Sequence, residues 1–119
     1  MSPLRFRNEL VKTPSGKIKF RRYRDGGHER YHVWLWLDED DRILDRVESV
    51  EYELHPTFKN RIRGSASRSN KFSITFWAWG EFDVAIRVHM RDGSIREATH
   101  SLHFELPADT GDNYADVGG

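Results

Sequence analysis

Apolar and polar residues alternate with a period of two along most of this chain, as they do in strands that bury one face. The clearest run covers residues 82–90, whose alternate positions are Phe82, Val84, Ile86, Val88 and Met90. Asp92-Gly93 follows directly and predicts a tight hairpin turn, because both central positions of a type I′ turn need a positive φ. We therefore expect a returning strand over residues 95–106, with a bulge near Thr99 where the apolar positions change parity.

The other predicted strands cover residues 17–24, 28–37, 47–54 and 72–77. In the second of these, Val33 and Leu35 share one face while Trp34 and Trp36 share the other, which indicates a central strand with its indoles buried between sheets. Polar turns at residues 25–27 and 38–41 separate the strands. The pattern predicts an all-β, immunoglobulin-like β-sandwich of about seven to eight antiparallel strands, with a barrel as the alternative.

The ends of the chain carry little that could be buried. We expect an N-terminal arm over residues 1–14, the sandwich over residues 15–107 and a flexible polar tail over residues 108–119. Within the sandwich, residues 55–70 lose the alternation and are rich in Arg, Ser and Gly. That composition predicts a long surface loop of the kind that often carries function.

Charge and composition narrow the classes of function. Lys plus Arg equals Asp plus Glu at 19 each, so no overall field draws the chain to nucleic acid or to an anionic membrane. The chain has no cysteine, which excludes disulfides and thiolate metal sites. No stretch approaches the ~20 apolar residues that span a bilayer. We expect an intracellular protein, cytoplasmic in a prokaryote or nuclear in a eukaryote.

Several other chemistries are weakly supported by the sequence. The pairs His28/His32 and His100/His103 do not complete a metal site, no G-x-S-x-G elbow is present, and we predict neither a metal, a cofactor nor catalysis. The basic strand 17–24 could contact nucleic acid, yet the zero net charge favours a solvated face. The two indoles of strand 28–37 could instead stack on sugars if they were exposed, but burial between the sheets explains them more simply.

Two aromatic segments at one end of the predicted sandwich form the candidate site. His55, Thr57 and Phe58 follow a strand directly, where side chains face the end of the sandwich. Residues 77–82 place two indoles beside Ala78 and a glycine, so the backbone can approach a ligand closely between aromatic walls. Together the two segments predict an aromatic slot.

These segments and the strands around them resemble a YEATS domain, a module that reads acylated lysine on histone tails. The matching stretches are Val50-Glu51-Tyr52-Glu53-Leu54-His55-Pro56-Thr57-Phe58, Trp79-Gly80-Glu81-Phe82 and His100-Ser101-Leu102-His103-Phe104. The resemblance covers residues 31–106. The loop over residues 59–71 lacks the proline-rich sequence common in eukaryotic members, so the chain is more similar to the prokaryotic YEATS-like branch.

The resemblance implies a non-catalytic binding module with a flat slot for an acyl-amide group. Phe58 and Trp79 correspond to the two aromatic residues that stack on the amide, and Thr57 corresponds to the hydroxyl residue at the acylated Nζ. His55 flanks that hydroxyl. Acylation suits such a slot because it replaces the lysine charge by a planar amide that stacks on rings and needs hydrogen-bond partners.

The same resemblance implies that backbone N–H groups around Ala78 and Trp79 hold the acyl carbonyl and that Phe82 closes the floor. Thr57 stands in place of the commoner serine and Ala78 in place of a glycine, and both replacements narrow the slot. The implied partner is an acylated-lysine peptide or protein, a histone in a eukaryote, together with an effector or signalling domain.

Two alternatives stay open from the sequence. The aromatic residues could cap the end of the sandwich, since such side chains in small β domains mostly belong to the core. The domain could also be a sensor or adaptor of a prokaryotic signalling or defence system that binds a protein partner or another small ligand without recognising acyl-lysine.

Overall fold

The structure is a computed structural model that describes residues 4–21 and 29–117. Within these residues it has nine strands, one short helix and one 3-10 turn at Arg68–Asn70. In chain order the other elements are β1 (Phe6–Leu10), β2 (Ile18–Arg21), β3 (Arg30–Leu37), α1 (Asp41–Leu44), β4 (Val47–Glu53), β5 (Ile62–Ser65), β6 (Ile74–Ala78), β7 (Asp83–Met90), β8 (Ile95–Ser101) and β9 (Tyr114–Asp116). The turn predicted at residues 25–27 lies outside the described residues. No helix in the described ranges is long and apolar enough to span a membrane.

The strands form two sheets around one hydrophobic core. The first sheet joins β1, β3, β2 and β9 in that order, with β6 also paired to β3. The second sheet has the order β5-β4-β7-β8. All of these pairings are antiparallel except that of β2 with β9, which is parallel. The predicted all-β sandwich is confirmed, with more strands than expected and one parallel pair.

The core is built from the alternating rows that the sequence predicted. Strand β3 is central and buries Val33, Leu35 and Leu37, while β7 buries the row from Val84 to Met90. Tyr52 from β4 packs fully buried between them, and Phe6 of β1 meets its ring edge-on with 6.0 Å between the ring centroids.

Trp36 is buried, with 6% of its surface exposed, but the prediction that Trp34 and Trp36 lie between the sheets is wrong, since neither belongs to the core cluster. Because Val33 and Leu35 face the core, the indoles lie on the outer face of the first sheet. Their rings stack on each other at 4.4 Å between centroids, and the Arg7 guanidinium lies 5.8 Å from the centroid of Trp36. Neighbouring side chains, and not the second sheet, shield the two indoles from water.

Three segments expected to lie outside the sheets contribute strands. The predicted N-terminal arm contains β1, which pairs with β3 along its full length. The predicted loop 55–70 contains β5, and the predicted polar tail contains β9. These are edge strands that pair along one side only. The inward row of β1 is short and includes Asn8, and β5 and β9 bury no side chain fully, so the sequence pattern in all three is weak.

The hairpin after β7 is confirmed, but its turn is not type I′. The Met90 N–H donates to the Ser94 carbonyl across 2.9 Å, which leaves a three-residue loop in which Gly93 alone has a positive φ, at 89°. The bulge predicted near Thr99 is absent, because the register of β7 with β8 is unbroken. Ile95 is out of step with the inward apolar positions of this strand because its side chain faces outward, where it is 57% exposed.

The acidic run at residues 38–41 begins a helix instead of forming only a turn. The Asp40 carboxylate accepts a hydrogen bond from the Ile43 N–H across 3.1 Å, which makes Asp40 the N-cap of α1. The helix occupies the end of the sandwich opposite to residues 55–58, because β4 runs from one end to the other.

Candidate functional site

A tight turn directly after β4 presents the first group of predicted site residues. The Leu54 N–H donates to the Arg61 carbonyl at 2.6 Å, which closes the loop behind the turn, and the Phe58 N–H donates to the His55 carbonyl at 3.0 Å. Inside the turn, His55 Nδ1 lies 2.9 Å from Thr57 Oγ1 and 3.3 Å from the Thr57 backbone nitrogen. The imidazole and the hydroxyl are therefore held side by side.

The second group follows β6, and its indole contacts the first group. Trp79 Nε1 donates to Thr57 Oγ1 across 3.3 Å, and the His55 ring meets the Trp79 ring edge-on with 5.6 Å between centroids. Trp79 is 37% exposed, which makes it one of the few large apolar side chains at the surface of the described residues. The structure thus brings two of the predicted residues, His55 and Thr57, against the exposed indole of a third, Trp79.

Phe58 and Phe82 lie beneath this surface group. Phe58 is 8% exposed and packs edge-on against Phe76 of β6, with 5.9 Å between centroids. Phe82 contacts Phe58 at 5.6 Å and His55 at 5.9 Å between ring centroids. The floor expected from Phe82 and the stacking expected from Phe58 both stay predictions. The stacking would involve only the small part of the Phe58 ring that reaches the surface.

Ala78 is fully buried and pairs with Tyr31 of β3, so its side chain is part of the core and only its backbone lies near the site. Trp77, the first indole of the same segment, faces away from the site and stacks on His32 of β3, with 4.4 Å between centroids. Trp77 and Trp79 would share a face if the strand continued, but β6 ends at Ala78 and Trp79 lies in the loop beyond it. Of the two indoles, Trp79 is the one that contacts Thr57 and His55.

Two residues that the sequence reasoning did not select support the second loop. The Glu81 carboxylate accepts a hydrogen bond from the Phe104 N–H across 3.1 Å and pairs with the His103 imidazole. These contacts connect the loop before β7 to the segment after β8. Glu81 and His103 both lie within the sequence stretches that resemble the family, and this resemblance could have identified them as site-supporting residues.

The contacts of His55 limit what chemistry the site can perform. Among the described residues, its imidazole contacts Thr57, Trp79 and Phe82, but no carboxylate. A nucleophile activated by a histidine usually needs a third group to orient that histidine. The described ranges also contain no group of three or more metal-ligating side chains. The group of side chains is suited to stacking and hydrogen bonding.

Comparisons with known proteins relate this arrangement to a family. A family model described as a prokaryotic YEATS domain matches residues 31–103. Transcription initiation factor TFIID subunit 14 of Schizosaccharomyces pombe is 40% identical over 60 residues, which are 50% of this chain and 24% of that protein. The AF-9 homolog of Candida albicans is 25% identical over 91 residues, which are 76% of this chain and 35% of that protein. The matched region thus spans only about a quarter to a third of these relatives' length.

Solved structures with the same fold include the Yaf9 YEATS domain. The structure of that domain bound to H3K27ac matches with a TM-score of 0.56 and 19% identity, covering 90% of this chain and 73% of that one. The structure of the domain recognising an H3K122suc peptide matches with a TM-score of 0.55 and 18% identity, covering 84% and 69%. The family model covers more than half of the chain and includes both loops of the site, so this chain belongs to the prokaryotic YEATS domain family.

Proposed function

We propose that this domain is a non-catalytic reader that binds an acylated lysine side chain between the loops at residues 55–58 and 78–82. The observation that carries the proposal is the contact of Trp79 Nε1 with Thr57 Oγ1, which joins an exposed indole to a hydroxyl 22 residues away. The family membership supports a binding module. The solved Yaf9 complexes support an acylated peptide as the ligand, because that domain recognises H3K122suc and is bound to H3K27ac.

Each side chain of the site matches one requirement of an acyl amide. Trp79 offers a flat, exposed apolar face on which the amide plane stacks. Thr57 Oγ1 both donates and accepts, so it can bond the amide N–H once the indole moves aside. His55 holds that hydroxyl in place from the opposite side of the turn. A charged lysine has no equivalent partner there and would lose part of its hydration on entry.

Thr57 and Trp79 are in direct contact in the structure. Two heavy atoms 3.3 Å apart leave no space for a third group between them, so the ligand must replace the Trp79–Thr57 hydrogen bond. An acyl amide can do this because its own N–H and C=O supply a donor and an acceptor. We expect the Trp79 ring to rotate away from Thr57 on binding while Phe58 and Phe82 remain fixed in the core.

The class of partner is inferred from the family together with the chemistry of the acyl-lysine. In a prokaryotic setting we propose an acylated cytoplasmic protein, because the domain's family is prokaryotic while the histone peptides belong to the Yaf9 complexes. The ligand is then defined by its acyl-lysine and not by a histone sequence.

Amide chemical-shift mapping with an acetyl-lysine peptide tests the location of the site. We expect the shifts to concentrate at residues 54–58 and 78–82 and to disappear with the unmodified peptide. Shifts of equal size with both peptides, or shifts confined to the outer face around Trp34, would contradict the proposal.

A further inference from the structure

A cavity of about 830 Å³ lies at the end of the sandwich opposite to the acyl-lysine site. Its walls come from the segment before β1, from α1 and from the β7–β8 hairpin, and they include Ile43, Met90 and Arg96. Met90 ends the strand that begins next to Phe82, and the eight residues of that strand span roughly 23 Å. The cavity is therefore separate from the site described above.

The floor of this cavity is apolar. Leu4, Ile43 and Met90 line it, and Met90 is 8% exposed. A backbone hydrogen bond from the Arg91 N–H to the Arg46 carbonyl, 2.9 Å long, holds the hairpin against the residue before β4. The cavity is thus built on paired backbone and not on a free loop.

Four arginines and three carboxylates also line the cavity, and the carboxylates already have partners. Glu39 pairs with Arg5, accepting its backbone N–H at 3.0 Å and lying 3.5 Å from its guanidinium. Asp45 accepts from the Nε of Arg68 at 2.7 Å. The Asp92 carboxylate accepts from the backbone N–H and the hydroxyl of Ser94 at 2.8 and 2.6 Å.

The other three lining arginines, Arg46, Arg91 and Arg96, have no ion pair within 4 Å among residues 4–21 and 29–117. The cavity lining thus holds three arginines without an ion pair in the described part of the chain, although hydrogen bonds from Ser94 and the nearby charge of Arg46 lower the pKa of Asp92. Arginine presents a planar set of donors that fits carboxylate and phosphate oxygens in pairs.

Arg96 occupies an unusual position for a charged residue. It pairs with Val88 across the β7–β8 ladder and continues the inward row of Ala98 and Leu102. Neighbours directly opposite in an antiparallel pair share a face, so its stem points to the core side of the sheet at the open end of the sandwich. Its side chain lines the cavity together with the apolar side chains of Ile43 and Met90.

We propose that this cavity is a second ligand site, which binds a small organic anion with its apolar body on Met90 and Ile43 and its phosphate or carboxylate on the three arginines. The cavity volume falls in the range of small-molecule sites, which combine apolar walls with a few polar groups that fix orientation. The proposal is independent of acyl-lysine recognition, since the two sites share no residue.

Four probes test the proposal by amide chemical-shift titration: phenyl phosphate, benzoate, inorganic phosphate and phenol. We expect saturable shifts at residues 43–46 and 90–96 with phenyl phosphate or benzoate, and the stronger of the two identifies the preferred anionic group. Inorganic phosphate lacks the apolar body and phenol lacks the charge, so both should bind at least about tenfold more weakly. Binding of phenol or of inorganic phosphate equal to that of the organic anions would overturn the proposal.

Variants separate this site from a general effect of charge. Arg46→Gln and Arg96→Gln should each weaken binding about tenfold, whereas Arg42→Gln, an exposed arginine of α1 that does not line the cavity, should leave it unchanged. Trp79→Ala should also leave it unchanged. Equal losses in Arg42→Gln and Arg96→Gln would overturn the proposal, and so would the absence of saturable binding by either organic anion. The inward position of Arg96 would then be explained by protection of the edge strand β8 from pairing.

Discussion

The indole of Trp79 donates a hydrogen bond to the hydroxyl of Thr57 across 3.3 Å, and this bond connects the two loops that belong to opposite sheets of the sandwich. The same hydroxyl lies 2.9 Å from His55 Nδ1. Thr57 is therefore the centre of a small polar group beneath an exposed aromatic ring. Its two contacts explain how a surface side chain in a turn is held in one orientation.

The first prediction concerns that hydroxyl. Thr57→Val keeps the shape of the side chain and removes its donor and acceptor, so affinity for an acetyl-lysine peptide should fall about threefold to tenfold. Calorimetric titration measures the change. Thr75→Val is the matched control, because Thr75 is exposed on the outer face of β6, and it should bind as the original protein does. Unchanged affinity in Thr57→Val would mean that the hydroxyl does not contact the ligand.

The second prediction concerns a buried hydroxyl that stabilises the loop before β6. Tyr52 is fully buried and donates to the Phe72 carbonyl at 2.6 Å, and burial raises the pKa of this phenol, so it remains a donor. Phe72 has a φ of 53°, which a residue with a side chain rarely adopts. Tyr52→Phe leaves that carbonyl unpaired and should lower the free energy of unfolding by about 1–3 kcal/mol in urea denaturation. A loss under about 0.5 kcal/mol would contradict it.

The third prediction concerns the strand that the sequence did not identify. Phe6 packs edge-on against Tyr52, so Phe6→Ala should destabilise the sandwich by about 1–3 kcal/mol. Glu9→Ala, at an exposed position of the same strand, should change stability by less than about 0.5 kcal/mol. Equal, small effects of both changes would indicate that β1 is an arm that contributes little to the core.

The fourth prediction concerns pH. Burial lowers the pKa of His100 below its ordinary value of 6.5, and His100 Nε2 lies 2.7 Å from Asn8 Oδ1. The unfolded chain then binds more protons than the native one, so the stability that neutral His100 contributes is present above pH 6.5 and is lost as the pH falls through the native pKa.

The measurement is the free energy of unfolding of the original protein and of His100→Gln between about pH 7.5 and about pH 5. The variant should lose less stability over that interval. Some slope should remain, because burial and the charges of Lys19 and Arg21 also lower the pKa of His32. Parallel curves for the two proteins would exclude His100 as a source of the pH dependence.

The sequence predicted the parts of the fold in which one face is buried against the other sheet. The rows ending at Leu37 and Met90 were predicted correctly because each is a long run of period-two alternation. Strands β5 and β9 were missed because edge pairing depends on backbone hydrogen bonds, which leave no hydrophobic pattern. Strand β1 was missed because its inward row is short and holds Asn8 between Phe6 and Leu10. The parity of Ile95 was misread for a related reason, since one exposed apolar side chain is ordinary and carries no register information.

The candidate site was predictable in position but not in its internal contacts. The motif stretches placed His55, Thr57 and Trp79 in adjacent loops, and the structure brings these three together. Phe58 was expected beside Trp79 as a free ring, yet the sequence does not record that Phe76 and Phe82 pack against it from the core. Side-chain burial of this kind depends on the angle at which two sheets meet, which no local pattern specifies.

The most direct test of the proposed function is a calorimetric titration of one peptide in acetyl-lysine, crotonyl-lysine and unmodified forms. We expect binding of an acylated form with a Kd below about 1 mM, binding of the unmodified form at least about tenfold weaker, and no detectable binding by Trp79→Ala with the fold retained. Trp77→Ala is the matched control, because that indole lies on the outer face and should not affect affinity. Equal binding of all three peptides, or none below about 1 mM, would contradict acyl-lysine recognition.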